Sequence, residues 1–123
     1  MKPRIAMDAR MIGMGGIGRY AKSLIREMIR QRPEWRWIWV GAPEKLLPLA
    51  PPGAGVEIRE CRARIYSAEE TFGMSRHFGG VDLLHVPHFN APFRCSSKLV
   101  VTLHDLIHFD YPEYQPFPFA NGL

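Results

Sequence analysis

The chain has 123 residues, of which 46% are hydrophobic, with a formal net charge of +4 and two cysteines. This length predicts one ordinary domain with a hydrophobic core of its own. No apolar run reaches the length of a membrane span, and the basic first residues lead too quickly into Asp8 and Arg10 for a signal peptide. We therefore expect a cytoplasmic location, with peripheral contact at the inner face of the membrane as an alternative.

The first part of the chain follows a strand, loop, helix, strand pattern. Residues 4–7 form a short apolar run that predicts a buried strand. After a glycine-rich loop, a 3.6-residue apolar period runs from residue 16 or 17 to about Gln31, where Pro33 prevents its continuation. The aromatic and β-branched residues 35–41 predict a second strand.

The rest of the chain continues this alternation. Further strands are predicted at residues 55–61, 81–87 and 98–105, and a helix is predicted from the N-cap Ser67 to about His77. The run at 98–105 is continuously apolar, as is typical of a central parallel strand covered on both faces. Residues 109–119 are rich in proline and aromatic residues and predict an irregular segment. The pattern indicates an α/β, Rossmann-like three-layer domain with a mostly parallel sheet.

Polar residues follow three of the predicted strands at the point where each strand ends. Ligands of parallel sheets bind at the carboxyl ends of the strands, so we expect these residues to line one crevice. They are Asp8 with the glycine loop, His85 with His88, and His104 with Asp105.

The glycine loop carries the spacing G-x-G-x-x-G at Gly13, Gly15 and Gly18. A dinucleotide site needs its first glycine almost flush with the strand, whereas here residues 8–12 intervene, and no acidic residue is clearly placed to bind a ribose. A nucleotide- or dinucleotide-binding oxidoreductase domain therefore remains an alternative, as does a purely structural turn. The pair Gly15 and Gly16 would still let backbone N–H groups at a helix N-terminus approach an anion closely.

Basic residues are concentrated on one face of the first predicted helix, namely Arg19, Lys22, Arg26 and Arg30. Such a face is usually only solvated, but it could also attract anionic lipid headgroups. A non-catalytic binding module held at a membrane surface is therefore a third hypothesis. Nucleic acid is not expected, because no aromatic residues alternate with these cations.

Histidines and an aspartate near one sheet edge could suggest a metal site. However, His85 and His88 lie on an extended, proline-bearing segment on which their side chains would diverge, so no metal is expected. His104 and Asp105 at a strand end are better candidates for hydrogen bonding or acid–base chemistry.

Three segments together resemble a known family. They are "RIAMDARMIGMGGIGRYAKSLIREM", "DLLHVPHFNAP" and "KLVVTLHDLIHFDYPEY", in this order. In combination they are similar to the amino-terminal domain of retaining glycosyltransferases of family 4, which have the two-domain GT-B fold. The resemblance runs from Arg4 to about Tyr114.

The resemblance implies roles for particular residues. Gly15 and Gly16 would contact the donor diphosphate, and His104 would contact the donor sugar near the reacting centre. Asp105 would orient the loop of His104. The remaining candidates would bind the acceptor or line the cleft, namely Asp8, Arg19, Tyr20, His85, His88 and Asn90.

The resemblance also implies what such a domain works with. The nucleotide-sugar is a substrate and no cofactor or metal is expected, while the acceptor would be a glycan, a lipid or a polysaccharide precursor. The carboxy-terminal, donor-binding domain of the family is absent from this sequence, which looks like an incomplete amino-terminal domain. We therefore expect little activity from it alone, and self-association through an exposed sheet edge or apolar surface.

Overall fold

A computed structural model describes residues 1–65, 67–92, 94–111 and 113. The strands are β1 (Arg4–Asp8), β2 (Arg36–Gly41), β3 (Val56–Glu60), β4 (Leu83–Val86) and β5 (Lys98–Val101). The helices are α1 (Gly15–Gln31), α2 (Pro43–Leu46), α3 (Ala68–Gly73) and α4 (Ile107–Asp110), with 3₁₀ turns at Leu47–Leu49 and Met74–Phe78. Most of the predicted irregular segment 109–119 lies outside the described residues.

The five strands form one sheet in which every neighbouring pair is parallel. The strand order is β3-β2-β1-β4-β5, so the chain runs outward from β1 and then crosses back to the other side of β1. The register pairs Met7 of β1 with Trp39 on one side and with His85 on the other. This order is that of a Rossmann-like α/β fold, which confirms the predicted fold class.

The core has two layers, one on each face of the sheet. Alternate residues of a strand point to opposite faces, so Met7 and Trp39 pack beneath α1 with Ala21 and Ile25. The opposite face is covered by the segment that contains α3, and its buried residues include Ala6, Ile38, Met74, Phe78 and Leu84. The helix α3 begins at the predicted cap, because the Ser67 hydroxyl accepts a hydrogen bond from the Glu70 N–H at 3.2 Å.

The last strand differs from its prediction. β5 was expected to be a central strand covered on both faces, but it is the outer strand of the sheet, pairs only with β4 among the described residues, and is exposed along its length. An unbroken apolar run therefore does not by itself distinguish a covered strand from an uncovered one. The apolar edge of Leu99, Val100 and Val101 is the kind of surface that the expected self-association requires. Association itself stays a prediction.

The loop between β1 and α1 is held by a close approach of backbone to backbone. Gly13 and Gly15 adopt left-handed φ values of 89° and 59°, which glycine tolerates without strain. Gly18 has a different role, because a Cβ placed there would lie 2.3 Å from the Met11 carbonyl oxygen. The start of α1 can therefore pack against the loop only when residue 18 has no side chain.

We predict that Gly18→Ala destabilises the fold by about 1–3 kcal/mol or more, because the loop or the helix must shift to admit a methyl group. Urea-induced unfolding measures this change in the free energy of unfolding. Gly16→Ala is the matched control, since a Cβ at Gly16 meets no atom within 4 Å. Equal stabilities of the two variants would contradict the proposed role of the close approach.

Candidate functional site

Three elements bring a cluster of aromatic and imidazole side chains together at the carboxyl edge of the sheet. Tyr20 lies on α1, His85 on β4, and Thr102 and His104 follow β5. The Thr102 hydroxyl is 3.2 Å from the Tyr20 hydroxyl and 2.8 Å from Nε2 of His85. The rings of Tyr20 and His104 meet edge to face, with their centroids 4.9 Å apart. We call Tyr20, His85, His88 and His104 the histidine cluster.

His104 has a defined orientation within this cluster. Its Nε2 lies 2.7 Å from the Pro87 carbonyl oxygen, which can only accept, so Nε2 carries the proton and donates it. In the neutral ring this leaves Nδ1 as a hydrogen-bond acceptor. The ring is exposed, while the neighbouring ring of His88, 6.5 Å away between centroids, is buried.

Asp105 and the glycine pair are both on the surface. The Asp105 Oδ1 accepts a hydrogen bond from the Ile107 N–H at 3.1 Å, which fixes the turn that leads into α4. Gly15 and Gly16 are exposed at the start of α1, and a Cβ at either position would meet no atom within 4 Å. The space beside this glycine pair is therefore open.

A buried ion-pair network lies on the face of the sheet that is opposite to α1. Arg10 binds Asp8 with two hydrogen bonds, of 2.9 and 2.6 Å, and lies 2.6 Å from a Glu70 carboxylate oxygen. The Asn90 side-chain amide donates to the same Glu70 oxygen at 2.8 Å. Burial alone would lower the pKa of Arg10, but the hydrogen bonds and charges of Asp8 and Glu70 raise it overall. The network thus joins the end of β1 to α3 and to the loop after β4.

This network places two predicted cleft residues away from open surface. Asp8 and Asn90 are 4% and 9% exposed, and each is hydrogen-bonded to another member of the network. Sequence reasoning missed Arg10 and Glu70 as members of the network. The position of Glu70 in the first turn of a capped helix already explained an acidic residue there. Nothing in the sequence indicated that it pairs with Arg10, 60 positions earlier.

Arg19 lies on the other side of α1 from Tyr20. It lines a pocket of about 560 Å³ together with Lys22 and Lys45, and the glycine loop forms another part of the wall. We call this space the basic pocket. The predicted site residues therefore lie in the histidine cluster, in the buried network, or in the basic pocket with Gly15 on its wall, while Gly16 and Asp105 are exposed. We call the histidine cluster, which reaches the surface through His104, and the basic pocket the two open sites.

Among the residues that the structure describes, no three His, Cys, Asp or Glu side chains come together in a way that could hold a metal ion. In the same part of the chain no helix is long and apolar enough to cross a lipid bilayer. Comparisons with protein-family models, curated proteins and solved structures found no match to this chain. The assignment of a function therefore depends on the geometry of the site and on the motifs.

We predict that Arg10→Met destabilises the protein by about 3–5 kcal/mol, because it leaves two buried carboxylates without their cation. Urea-induced unfolding measures the change. Arg62→Met removes an exposed pair with Glu44 and should leave the free energy of unfolding nearly unchanged. A loss of the same size in both variants would show that burial of the Arg10 network is not what makes it important.

We also predict that stability falls as the pH is lowered through about 6.5. Burial lowers the pKa of His85 below its ordinary value of 6.5, so the unfolded chain takes up the proton more readily than the folded one. The contribution of His85 to the free energy of unfolding then has its full value above pH 6.5. It decreases as the pH falls from there to the lower pKa of His85 in the folded protein. His77 has a pKa that burial also lowers, so the comparison is made in a His77→Gln background. There, His85→Gln should flatten the pH dependence of urea unfolding, and an unchanged slope would contradict the assignment.

Proposed function

We propose that this chain is the acceptor-side domain of a retaining glycosyltransferase that uses a nucleotide-sugar donor. The observation that supports this most directly is the contact between Tyr20 on α1 and His104 after β5. Through it the segment that follows the glycine loop meets the segment that the family resemblance assigns to the reacting centre.

The position of this contact in the sheet supports the proposal further. The chain leaves β1 towards β2, whereas β4 and β5 lie on the other side of β1, so the strand order reverses between β1 and β4. Open parallel sheets bind their ligands in the crevice at such a reversal. The histidine cluster lies at this crevice, with His85 on β4 paired to Met7 on β1.

Glycosyl transfer from a nucleotide-sugar releases a diphosphate, so its main electrostatic requirement is a set of donors for the developing negative charge. The first N–H groups of a helix have no partner within the helix and point towards its N-terminus. In α1 these belong to Gly15, Gly16 and Ile17, and no acidic residue lies in the first turn. The open space at Gly15 and Gly16 lets a diphosphate approach these donors.

His104 would act at the sugar. Its Nε2–H is engaged by the Pro87 carbonyl, and Nδ1 of this exposed residue can accept a hydrogen bond from a sugar hydroxyl. The contact with Tyr20 holds the imidazole at the start of α1. We therefore assign His104 to binding and orienting the donor sugar, and Asp105 to holding its loop.

The oxidoreductase alternative makes two demands on the geometry. It requires Gly13 directly after β1 and an acidic residue at the end of β2. Instead, β1 ends at Asp8, and β2 ends at Gly41 followed by Ala42 and Pro43. The nearest acid, Glu44, is bound to Arg62. These positions favour a nucleotide-sugar over a dinucleotide.

A transfer assay with the protein as isolated from its natural source tests the proposal, using a panel of nucleotide-sugars with lipid and oligosaccharide acceptors. His104→Ala and Gly16→Ala should each lower kcat by about 10²-fold, because each removes or blocks a contact made in the transition state. The anomeric configuration of the product, read by NMR, should match that of the donor. Ser23→Ala, at an exposed position further along α1, is the control and should keep wild-type turnover.

Binding to the chain itself provides a second measurement. Uridine and guanosine diphosphate sugars should shift the amide signals of Gly15 and Gly16 and the ring signals of His104 in an NMR titration. NAD⁺ should have a much weaker effect. Inverted products, unaffected kcat in both variants, or tighter binding of NAD⁺ at the same amides would overturn the proposal, while binding without any transfer would favour a non-catalytic module.

A further inference from the structure

The basic pocket gathers three cations that form no direct ion pair with the described residues. Its walls are formed by Arg19, Lys22 and Lys45 together with apolar and glycine residues, and no acidic residue of the described part of the chain lines it. The acid next to Lys45, Glu44, is bound to Arg62 instead.

The fold places these three cations around one pocket. Lys45 lies within the single turn of α2 and precedes the fully buried Leu46, which anchors α2 in the core beneath α1. The Lys45 side chain runs along Gly13, and a Cβ placed at Gly13 would lie 3.8 Å from Nζ. Lys45 therefore packs against the glycine loop at ordinary contact distance. Lys22 is half-buried and approaches the pocket from α1.

Like charges gathered around a concave surface repel one another and raise the local concentration of anions. Other basic residues of the chain avoid this by pairing, as Arg30 does with Glu27 on the same helix. The cationic face predicted for α1 is therefore divided, and only Arg19 and Lys22 of its four residues contribute to the basic pocket. Arg26 is exposed and lies outside the pocket lining.

We propose that the basic pocket binds a phosphate group through Lys22, Lys45 and Arg19, at a site separate from the histidine cluster. Two ammonium groups and a guanidinium supply enough donors to surround the oxygens of one phosphate. The phosphate belongs either to a soluble metabolite or to a lipid headgroup. If the proposed function holds, the molecule that carries it is the acceptor; the phosphate site itself does not depend on that function.

Titration with inorganic phosphate at constant ionic strength, followed by NMR of the purified chain, tests the soluble source. The signals of Lys22, Lys45 and Gly13 should shift and saturate. Lys22→Gln and Lys45→Gln should each weaken binding about tenfold, the effect of losing one charge-assisted hydrogen bond. Arg26→Gln is the matched control, because it removes the same charge from α1 outside the pocket, and it should leave the affinity unchanged.

Sedimentation with phosphatidylcholine vesicles, with and without phosphatidylglycerol, tests the lipid source. Binding to the phosphatidylglycerol vesicles that is lost in Lys45→Gln and kept in Arg26→Gln would assign the pocket to a headgroup. Saturable binding of inorganic phosphate with the same pattern of variants would assign it to a soluble ligand. The proposal is overturned if neither probe binds, or if Arg26→Gln weakens binding as much as Lys45→Gln, which would indicate diffuse surface charge.

This proposal and the proposed function can fail separately. Gly15 borders both sites, so the phosphate response is read at Lys22 and Lys45, whereas the nucleotide-sugar response is read at Gly16 and His104. Circular dichroism of each variant shows whether its fold is retained. If the wild-type protein transfers sugar but does not bind phosphate, only the inference on the pocket is overturned. If it binds phosphate through Lys22 and Lys45 but transfers no sugar, only the proposed transferase function is overturned.

Discussion

The close approach of α1 to the loop after β1 is the constraint on which both open sites depend. Gly18 packs against the Met11 carbonyl, and a side chain there would force the loop and the start of α1 apart. Tyr20 follows within the same turn of helix and reaches Thr102 and His104. Arg19 and Lys22 reach the basic pocket from the same turns. One small residue therefore sets the position of both groups.

The alternation of β1 explains why its predicted cleft residue is buried. Met7 points to the face covered by α1, so Asp8 points to the opposite face, where Arg10 and Glu70 enclose it. A lone carboxylate in that position would carry a large desolvation penalty, which the bidentate bond from Arg10 offsets. The network joins β1 to α3. Through Asn90 it also holds the loop after β4, which carries the buried His88 of the histidine cluster.

Local patterns predicted most of the fold, and long-range pairing accounts for what they missed. The helix α1 ends at Gln31 before Pro33 as expected, and Ser67 caps α3, because both signals act within a few residues. The exposure of β5 depends on its place in the strand order, which its own residues do not encode. The Arg10–Glu70 bond and the approach of Lys45 to Gly13 join segments far apart in sequence, so they required the folded chain.

The geometry of α1 also suggests how the two open sites are related. Successive residues of a helix are turned by about 100° around its axis, so Arg19 and Tyr20 leave the helix on different sides. Gly15 lines the basic pocket, and Tyr20 of the histidine cluster follows on the next turn of the same helix. The left-handed φ of 59° explains a glycine at position 15, whereas Gly16 is exposed and has no atom within 4 Å of a Cβ placed there. Turn geometry therefore does not account for the glycine at position 16, but the proposed approach of a diphosphate to the first N–H groups of α1 would, because a side chain there would narrow that approach.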